Sequence, residues 1–209
     1  MVFVLIEKLS NKHTNMKALI LLATLKKEGL SNTQTLAEFL SVHLKAKRID
    51  VEIIKLVNYN ILPGTYTNMG GGDEWPAILR KILAAKIIIF ATPIWWGSHS
   101  SEMQKVIERL DNLHDEIVAG KKSKLDGKIG GIVITGDSDG GEQLIGIISN
   151  FFNGIGILLP PYATIAVLGD EHAKTAKTTR AELMKKYKKE ETKTAKTMAA
   201  QLAKYARKV

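Results

Sequence analysis

Five short apolar runs alternate along the chain with segments in which apolar residues recur every three or four positions. A continuous apolar run is typical of a strand buried on both faces of a parallel sheet, and the three-to-four spacing is typical of a helix with one buried face. The predicted strands are 18–23, 49–56, 87–91, 128–135 and 163–168, and the predicted helices are 33–46, 74–85, 100–114, 142–155 and 178–207. This alternation predicts an α/β fold in which helices cover both faces of a parallel sheet.

Length and composition narrow the class of protein. The chain has 209 residues, of which 45% are hydrophobic, and this suits one domain with a continuous core. It contains no cysteine, which excludes disulfides, thiolate zinc sites, cysteine-ligated iron–sulfur clusters and cysteine nucleophiles. The apolar run at residues 2–6 is too short for a signal peptide, and no run reaches the roughly 18 apolar residues of a membrane span. We therefore expect a soluble, cytoplasmic protein without a membrane span.

The net charge of +9 is concentrated in the C-terminal segment. Residues 170–209 contain 12 Lys and Arg against 5 Asp and Glu, whereas residues 1–169 contain 18 against 16. Contact with nucleic acid or anionic lipid is one interpretation of such a segment, and a solvated helix face is the interpretation that we favour. We expect no specific nucleic-acid partner. The chain divides into an N-terminal extension (1–16), a core domain (17–169) and a basic C-terminal helix packed on that domain (170–209).

Three loops lie where such a fold binds ligands, beyond the carboxyl ends of the strands at the point where the strand order reverses. The first loop, residues 24–33, ends in Ser31, Asn32 and Thr33 at the start of a helix. Unpaired main-chain N–H groups and the helix dipole favour an anion there, and Lys26 adds positive charge. Simple N-capping is the alternative. The loop lacks both G-x-G-x-x-G and the Lys-Ser/Thr ending of a P-loop, so neither nucleotide fingerprint is present.

The second and third loops favour a flat, polar-edged ligand. Residues 92–101 contain adjacent Trp95 and Trp96, whose side chains diverge, so at least one is expected at the mouth of the site, where an aromatic ring suits a flat ring system. Packing on a helix or loop is the alternative. Residues 135–142 carry Gly136 and Gly141 around polar residues, so main-chain N–H groups are able to face a carbonyl-rich ring. An ordinary turn is the alternative there, and the loop lacks the ligand run of a calcium site, so we expect no metal.

Two stretches carry a resemblance to a known family. Residues 73–111 include Thr-Pro-Ile-Trp-Trp-Gly followed by Ser-Ser before a helix, and residues 128–143 read KIGGIVITGDSDGGEQ. Together with the first loop, they resemble the NADPH-dependent FMN reductases and flavodoxin-like oxidoreductases over residues 16–168. The resemblance implies a three-layer flavodoxin-like fold with a five-stranded parallel sheet in the order 2-1-3-4-5. It also implies FMN as cofactor and NAD(P)H as co-substrate.

The resemblance further implies which residues bind FMN. Thr24, Lys26, Ser31, Asn32 and Thr33 would hold the phosphate; Pro93, Ile94, Trp95, Trp96 and Gly97 would lie along the ring and ribityl chain; and Gly136, Asp137 and Gly141 would close the other edge.

The implied activity is an FMN-dependent NAD(P)H oxidoreductase that passes electrons by a ping-pong hydride mechanism to a quinone, a flavin or a similar small acceptor. Flavin N5 rather than a side chain would carry the chemistry, and a homodimer or homotetramer is expected. A flavodoxin-type electron carrier and a non-catalytic flavin-binding protein are the alternatives. Carriers are usually acidic, unlike this chain. A phosphorylated receiver domain is excluded, because it needs acidic residues where this chain has Ala23 and Thr24.

Overall fold

A computed structural model describes residues 16–172 and 176–209. Only Met16 of the predicted N-terminal extension falls within these ranges; the rest of that extension lies outside the described residues. The elements are β1 (Met16–Leu22), α1 (Asn32–Lys45), β2 (Ile49–Lys55), α2 (Trp75–Ala84), β3 (Ile87–Trp95), β4 (Ser98–His99), α3 (Ser101–Val118), β5 (Lys128–Gly136), α4 (Gly141–Ile155), β6 (Ile157–Leu158), β7 (Thr164–Leu168), α5 (Arg180–Glu190) and α6 (Thr192–Ala206).

The main sheet is parallel, and β1 lies near its centre. Ala18 of β1 pairs with Val51 of β2 on one side and with Ile87 of β3 on the other, and β3 pairs in turn with β5. Beyond β5 the sheet edge is shared by two short strands, β6 beside the start of β5 and β7 beside its end. The five predicted strands therefore follow the order 2-1-3-4-5, which confirms the predicted flavodoxin-like fold.

The fifth position of the sheet is split by a short interruption between β6 and β7. Residues 159–163 include Pro160 and Pro161, which have no N–H group to donate to the ladder, and Tyr162, which has a positive φ of 61°. The sequence prediction gave only the second half of this edge as a strand. The pairing of β6 with Lys128 and Ile129 is therefore an addition to the predicted sheet.

Two apolar layers enclose the sheet. Alternate residues of β1 face opposite sides: Ala18, Ile20 and Leu22 pack with α1, α5 and α6, whereas Leu19 and Leu21 pack with α2, α3 and α4. A strand with one face in water alternates apolar and polar residues. Because helices cover both faces of this sheet, β1 has no polar face, and its sequence is a continuous apolar run. The helices of both layers begin at or near the carboxyl edge of the sheet, so the polar loops gather there.

The C-terminal segment differs from the prediction, because it forms two helices instead of one. The chain turns at Glu191, a junction residue with φ −105° and ψ −1° that follows α5 and precedes α6. Leu183 and Tyr187 of α5 and Met198 and Leu202 of α6 are fully buried. Glu191, which has a carboxyl side chain, lies between these two pairs of apolar positions. A single straight helix would therefore interrupt its own apolar face. Both helices pack on α1 and contribute to the same core as the sheet.

A buried ion pair holds the loop between β2 and α2 against α3. Arg109 of α3 and Asp73 have side chains with no exposed surface, and Arg109 Nη2 donates to Asp73 Oδ2 over 2.6 Å. Asp73 also accepts hydrogen bonds from the main-chain amides of Leu62, Met69 and Trp75. Burial by itself raises the pKa of Asp73, but the hydrogen bonds from Arg109 and from these amides outweigh burial and hold that pKa well below its usual range. None of the helices in the described ranges is long and apolar enough to cross a membrane.

We expect Asp73→Asn to lower the free energy of unfolding at pH 7 by about 3–5 kcal/mol, because it leaves the Arg109 charge buried without its partner. Urea denaturation measures the loss. Glu52→Gln is the matched control: it breaks the exposed Glu52–Lys81 pair and should lower the free energy of unfolding far less than Asp73→Asn.

The loss of stability caused by Asp73→Asn should also depend on pH. The folded-state pKa of Asp73 lies below its unfolded value of about 3.9, so its contribution is complete above that pH and is lost as the pH falls through the folded pKa. The gap in stability between the wild-type chain and Asp73→Asn should therefore narrow below about pH 4. A gap that stays constant into acid would contradict the assigned charge state.

Candidate functional site

A cavity of about 740 Å³ opens at the carboxyl edge of the sheet. Twelve of the thirteen predicted site residues line it; the thirteenth, Gly141, begins α4 and is not among the described lining residues. The structure thus brings together three loops that are far apart in the sequence. Its further lining residues are Leu25, Leu30, Thr135, Ser138, Asp139, Glu171, His172, Ala176 and Thr178.

The first loop leads from β1 into α1 and closes on itself. The buried Ser31 hydroxyl donates to Thr24 Oγ1 over 2.9 Å and accepts from the main-chain amide of Gln34, so Ser31 is the N-cap of α1. Lys26 Nζ donates to the carbonyl of Leu30 over 2.9 Å, which closes the loop. The first turn of α1 contains no acidic residue. The positive end of its dipole, with the first amides of the helix, therefore lies at the cavity.

The second loop is a tight hairpin at the end of a longer strand than predicted. The prediction ended the third strand at Ala91, but β3 continues to Trp95, and Thr92 and Pro93 pair with Ile134 and Thr135 of β5. The Thr-Pro sequence looks like the start of a loop because Pro lacks an N–H group, yet the parallel register continues past it. Strand β4 then runs back antiparallel, with Ile94 opposite His99.

The tip of this hairpin is strained and apolar. Trp96 and Gly97 both have positive φ angles, 50° and 71°, as a two-residue type I′ turn requires. This conformation is uncommon for a residue with a large side chain. Trp96 is fully exposed and Trp95 is 43% exposed. Both indoles lie at the mouth of the cavity, as the sequence analysis expected of at least one of them.

The third loop, residues 136–140, packs against the hairpin. Gly140 has a φ of 94° and caps α4, and a Cβ atom at this position would lie 3.4 Å from the Cα atom of Gly97. A Cβ atom on Gly136 would lie 3.0 Å from Ile94 Cδ1. The positive φ of Gly140 favours glycine at that position, and both distances show that the third loop lies directly on the second.

Buried hydroxyl groups connect the loops behind the cavity. Thr33 at the start of α1 and Thr135 near the end of β5 share a hydrogen bond of 2.7 Å between their Oγ1 atoms. Ser100, the N-cap of α3, donates from its hydroxyl to the carbonyl of Ala23 over 2.6 Å, and its main-chain amide donates to Thr92 Oγ1. These contacts fix the first loop to the second and third from below, where the side chains are shielded from water.

Sequence reasoning missed one wall of the cavity. Glu171, His172, Ala176 and Thr178 follow β7 and line the side next to the start of α1. The main-chain carbonyl of His172 accepts a hydrogen bond from Asn32 Nδ2 over 3.2 Å. No local motif marks this segment. The available signal was topological: β7 also ends at the carboxyl edge, so the residues after it had to lie near the other loops.

Gly140→Ala should lower the free energy of unfolding by about 1–2 kcal/mol, because a Cβ atom disfavours the left-handed conformation that Gly140 adopts, with a φ of 94°. Gly146→Ala is the matched control, since Gly146 is inside α4 and an added Cβ meets nothing within 4 Å. Alanine there should stabilise the chain slightly. Equal effects of the two substitutions in thermal denaturation would contradict the conformation described for the loop.

Comparisons with known proteins identify the family of this chain. The sequence model of the NADPH-dependent FMN reductase family matches residues 16–170. A stretch of 160 residues is 32% identical to part of the divalent metal cation transporter MntH of Mycobacterium bovis (strain ATCC BAA-935 / AF2122/97), covering 74% of this chain and 23% of that protein. A stretch of 165 residues is 31% identical to 8-demethyl-8-aminoriboflavin-5′-phosphate synthase of Streptomyces davaonensis (strain DSM 101723 / JCM 4913 / KCC S-0913 / 768), covering 74% of this chain and 64% of that protein.

Among solved structures, RosB with the bound intermediate OHC-RP (8-demethyl-8-formylriboflavin-5′-phosphate) superimposes with a TM-score of 0.78 at 25% identity, covering 92% of this chain and 79% of that one. The chain spans less than two thirds of the length of both curated relatives. The family match, by contrast, includes every strand of the sheet and all three loops. The chain therefore belongs to the NADPH-dependent FMN reductase family, and this membership confirms the predicted cofactor FMN.

Proposed function

We propose that the chain is an FMN-dependent NAD(P)H oxidoreductase that passes electrons to a quinone, a flavin or a similar small acceptor. The observation that carries this proposal is the cavity itself, where a helix N-terminus at one side and two exposed indoles at the mouth frame a single space of about 740 Å³. That volume lies within the range of small-molecule and cofactor sites.

The first loop is the part of the cavity suited to the FMN phosphate. The start of α1 offers main-chain amides and a positive dipole end, and Thr24, Ser31 and Thr33 contribute hydroxyl groups around it. Asn32 and Lys26 complete the set that we assign to the phosphate. A dianionic phosphate fits this donor-rich pocket because its charge meets amides and one ammonium group rather than a carboxylate of the same turn.

The second and third loops are suited to the ring and the ribityl chain. We assign Pro93, Ile94, Trp95, Trp96 and Gly97 to one side of the ring, and Gly136, Asp137 and Gly141 to its other edge. Because the loops pack on one another at Gly97 and Gly140, their main-chain groups are held in fixed positions before any ligand binds.

The chemistry is divided between cofactor and protein. FMN, when bound, supplies hydride acceptance from NAD(P)H and donation to the acceptor in turn, which gives ping-pong kinetics. The chain binds and orients the flavin, and main-chain amides of the second and third loops stabilise negative charge on the ring. We assign no side chain as an acid or base. The alternatives of an electron carrier and of a non-catalytic flavin-binding protein predict no steady-state oxidation of NAD(P)H in the presence of a quinone.

A second candidate function follows from RosB, whose structure contains a modified riboflavin phosphate. In that case this chain would also act on FMN as a substrate. The two functions differ in the fate of the flavin. After incubation with NAD(P)H and a quinone, mass spectrometry of the recovered flavin should show unaltered FMN if it is a cofactor, and a changed mass at its ring if it is a substrate.

We further propose that the chain acts as a homodimer or a homotetramer. The support is the fully exposed Trp96 on a strained turn, because an apolar ring of this size gains from being covered. Sedimentation of the purified chain tests this proposal, and a monomer at micromolar concentration would contradict it.

Asn32→Asp should weaken FMN binding at least tenfold while it leaves riboflavin binding within about threefold, because the new carboxylate repels the phosphate that riboflavin lacks. An acidic residue in the first turn of a helix is favourable, which offsets the loss of the hydrogen bond that Asn32 Nδ2 donates to the His172 carbonyl. Quenching of flavin fluorescence measures both affinities. Asn68→Asp, at an exposed position that is not among the described residues lining the cavity, is the control for added charge.

The design separates several outcomes. Equal losses for FMN and riboflavin would mean that the first loop does not hold the phosphate. Failure of the unaltered chain to bind FMN at micromolar concentration would refute the proposed function.

A further inference from the structure

His172 is a buried titratable residue to which the proposed chemistry assigns no role. Its side chain is 1% exposed, and both ring nitrogens have partners. Nδ1 lies 3.0 Å from the carbonyl oxygen of Val167 and 3.2 Å from that of Gly136. Because carbonyl oxygens only accept, Nδ1 carries the proton, and Nε2 accepts from the Tyr187 hydroxyl over 2.9 Å. Burial lowers the pKa of His172, in agreement with a neutral ring.

The contacts of His172 reach two of the three loops of the cavity. Gly136, whose carbonyl accepts from the ring, is the last residue of β5, where the third loop begins. Asn32, whose side-chain amide donates to the His172 carbonyl, is the first residue of α1. One residue therefore touches both the edge that we assign to the flavin ring and the helix start that we assign to the phosphate.

The other side of His172 is anchored to α5. Tyr187 has no exposed surface, and its hydroxyl contacts the ring. The neighbouring Glu171 accepts from Lys186 of α5 over 2.5 Å, which gives the same segment a second attachment to the same helix. Helix α5 packs in turn on α1. A continuous set of hydrogen bonds thus joins α5 to the wall of the cavity formed by Glu171 and His172.

We propose that His172 is a positioning residue that fixes the third loop and the start of α1 relative to α5, so that the C-terminal helices form part of the FMN site. This inference rests on the proposed function. It lies outside the family match, which ends at residue 170. A consequence is that FMN and α5 stabilise one another, since a ligand that needs Gly136 and Asn32 in place favours the state in which His172 and Tyr187 are joined.

Two substitutions divide the contacts of the ring. Asparagine at this position places its amide near the site of Nδ1, so His172→Asn should keep a donor for the Gly136 and Val167 carbonyls. Glutamine reaches the site of Nε2, so His172→Gln should keep the contact with Tyr187 and lose the carbonyl contacts. We expect FMN affinity to fall about threefold for His172→Asn, which loses only the contact with Tyr187, and about tenfold for His172→Gln, which loses the contacts with both carbonyls. His114→Gln, at an exposed position of α3, is the matched control.

Hydrogen exchange supplies a readout that a purely structural role would not change. FMN should slow amide exchange in residues 180–190 of the unaltered chain, and Tyr187→Phe should abolish this protection while it leaves a folded protein that still binds FMN. Unchanged exchange in α5 on FMN binding, or equal FMN affinities for His172→Gln and wild type in folded proteins, would overturn the inference. Failure of the unaltered chain to bind FMN would instead refute the proposed function, and the inference with it.

Discussion

Parallel pairing of β1 between β2 and β3 is the constraint on which the site depends. A parallel pair needs a crossover that returns the chain to the starting edge of the sheet, so all the parallel strands end at the opposite edge. The start of α1, the hairpin after β3 and the loop after β5 are therefore brought together by the sheet, although more than 100 residues separate the first from the last. The apolar layers on both faces hold this arrangement, and the polar residues at the edge contribute little to it.

Given that edge, the loops behave as one framework because they are connected where water is excluded. The Thr33–Thr135 hydrogen bond, the Ser100–Ala23 hydrogen bond and the contact of Gly140 with Gly97 each join two different loops. Buried hydrogen bonds of this kind are costly to break singly, since each leaves an unsatisfied partner. A ligand that enters such a framework loses less free energy in ordering the protein than one that must assemble it.

The sequence predicted the features that depend on local pattern. Continuous apolar runs indicated the strands and their parallel class, and the residues at the strand ends indicated the loops that line the cavity. The extension of β3 through Thr92 and Pro93 was missed, because pairing with β5 rather than local preference decides it. The wall formed by Glu171 and His172 was missed for a similar reason: its place depends on Asn32 and Tyr187, which are distant in the sequence.

The distribution of charge indicates which groups would attract an anion to the site that we propose at the start of α1. The C-terminal segment is strongly basic, yet Arg180 pairs with Glu38 and Lys186 pairs with Glu171, and the basic end of α6 lies beside Lys47, at the far end of α1 from the cavity. Among the described residues that line the cavity, Lys26 is the one cation, and its ammonium group already donates to Leu30. The attraction for an anion therefore comes chiefly from the amides and dipole of α1. The amides at the start of a helix point in a fixed direction. They therefore bind an anion that lies at one defined position and do not attract every negative charge on a ligand equally.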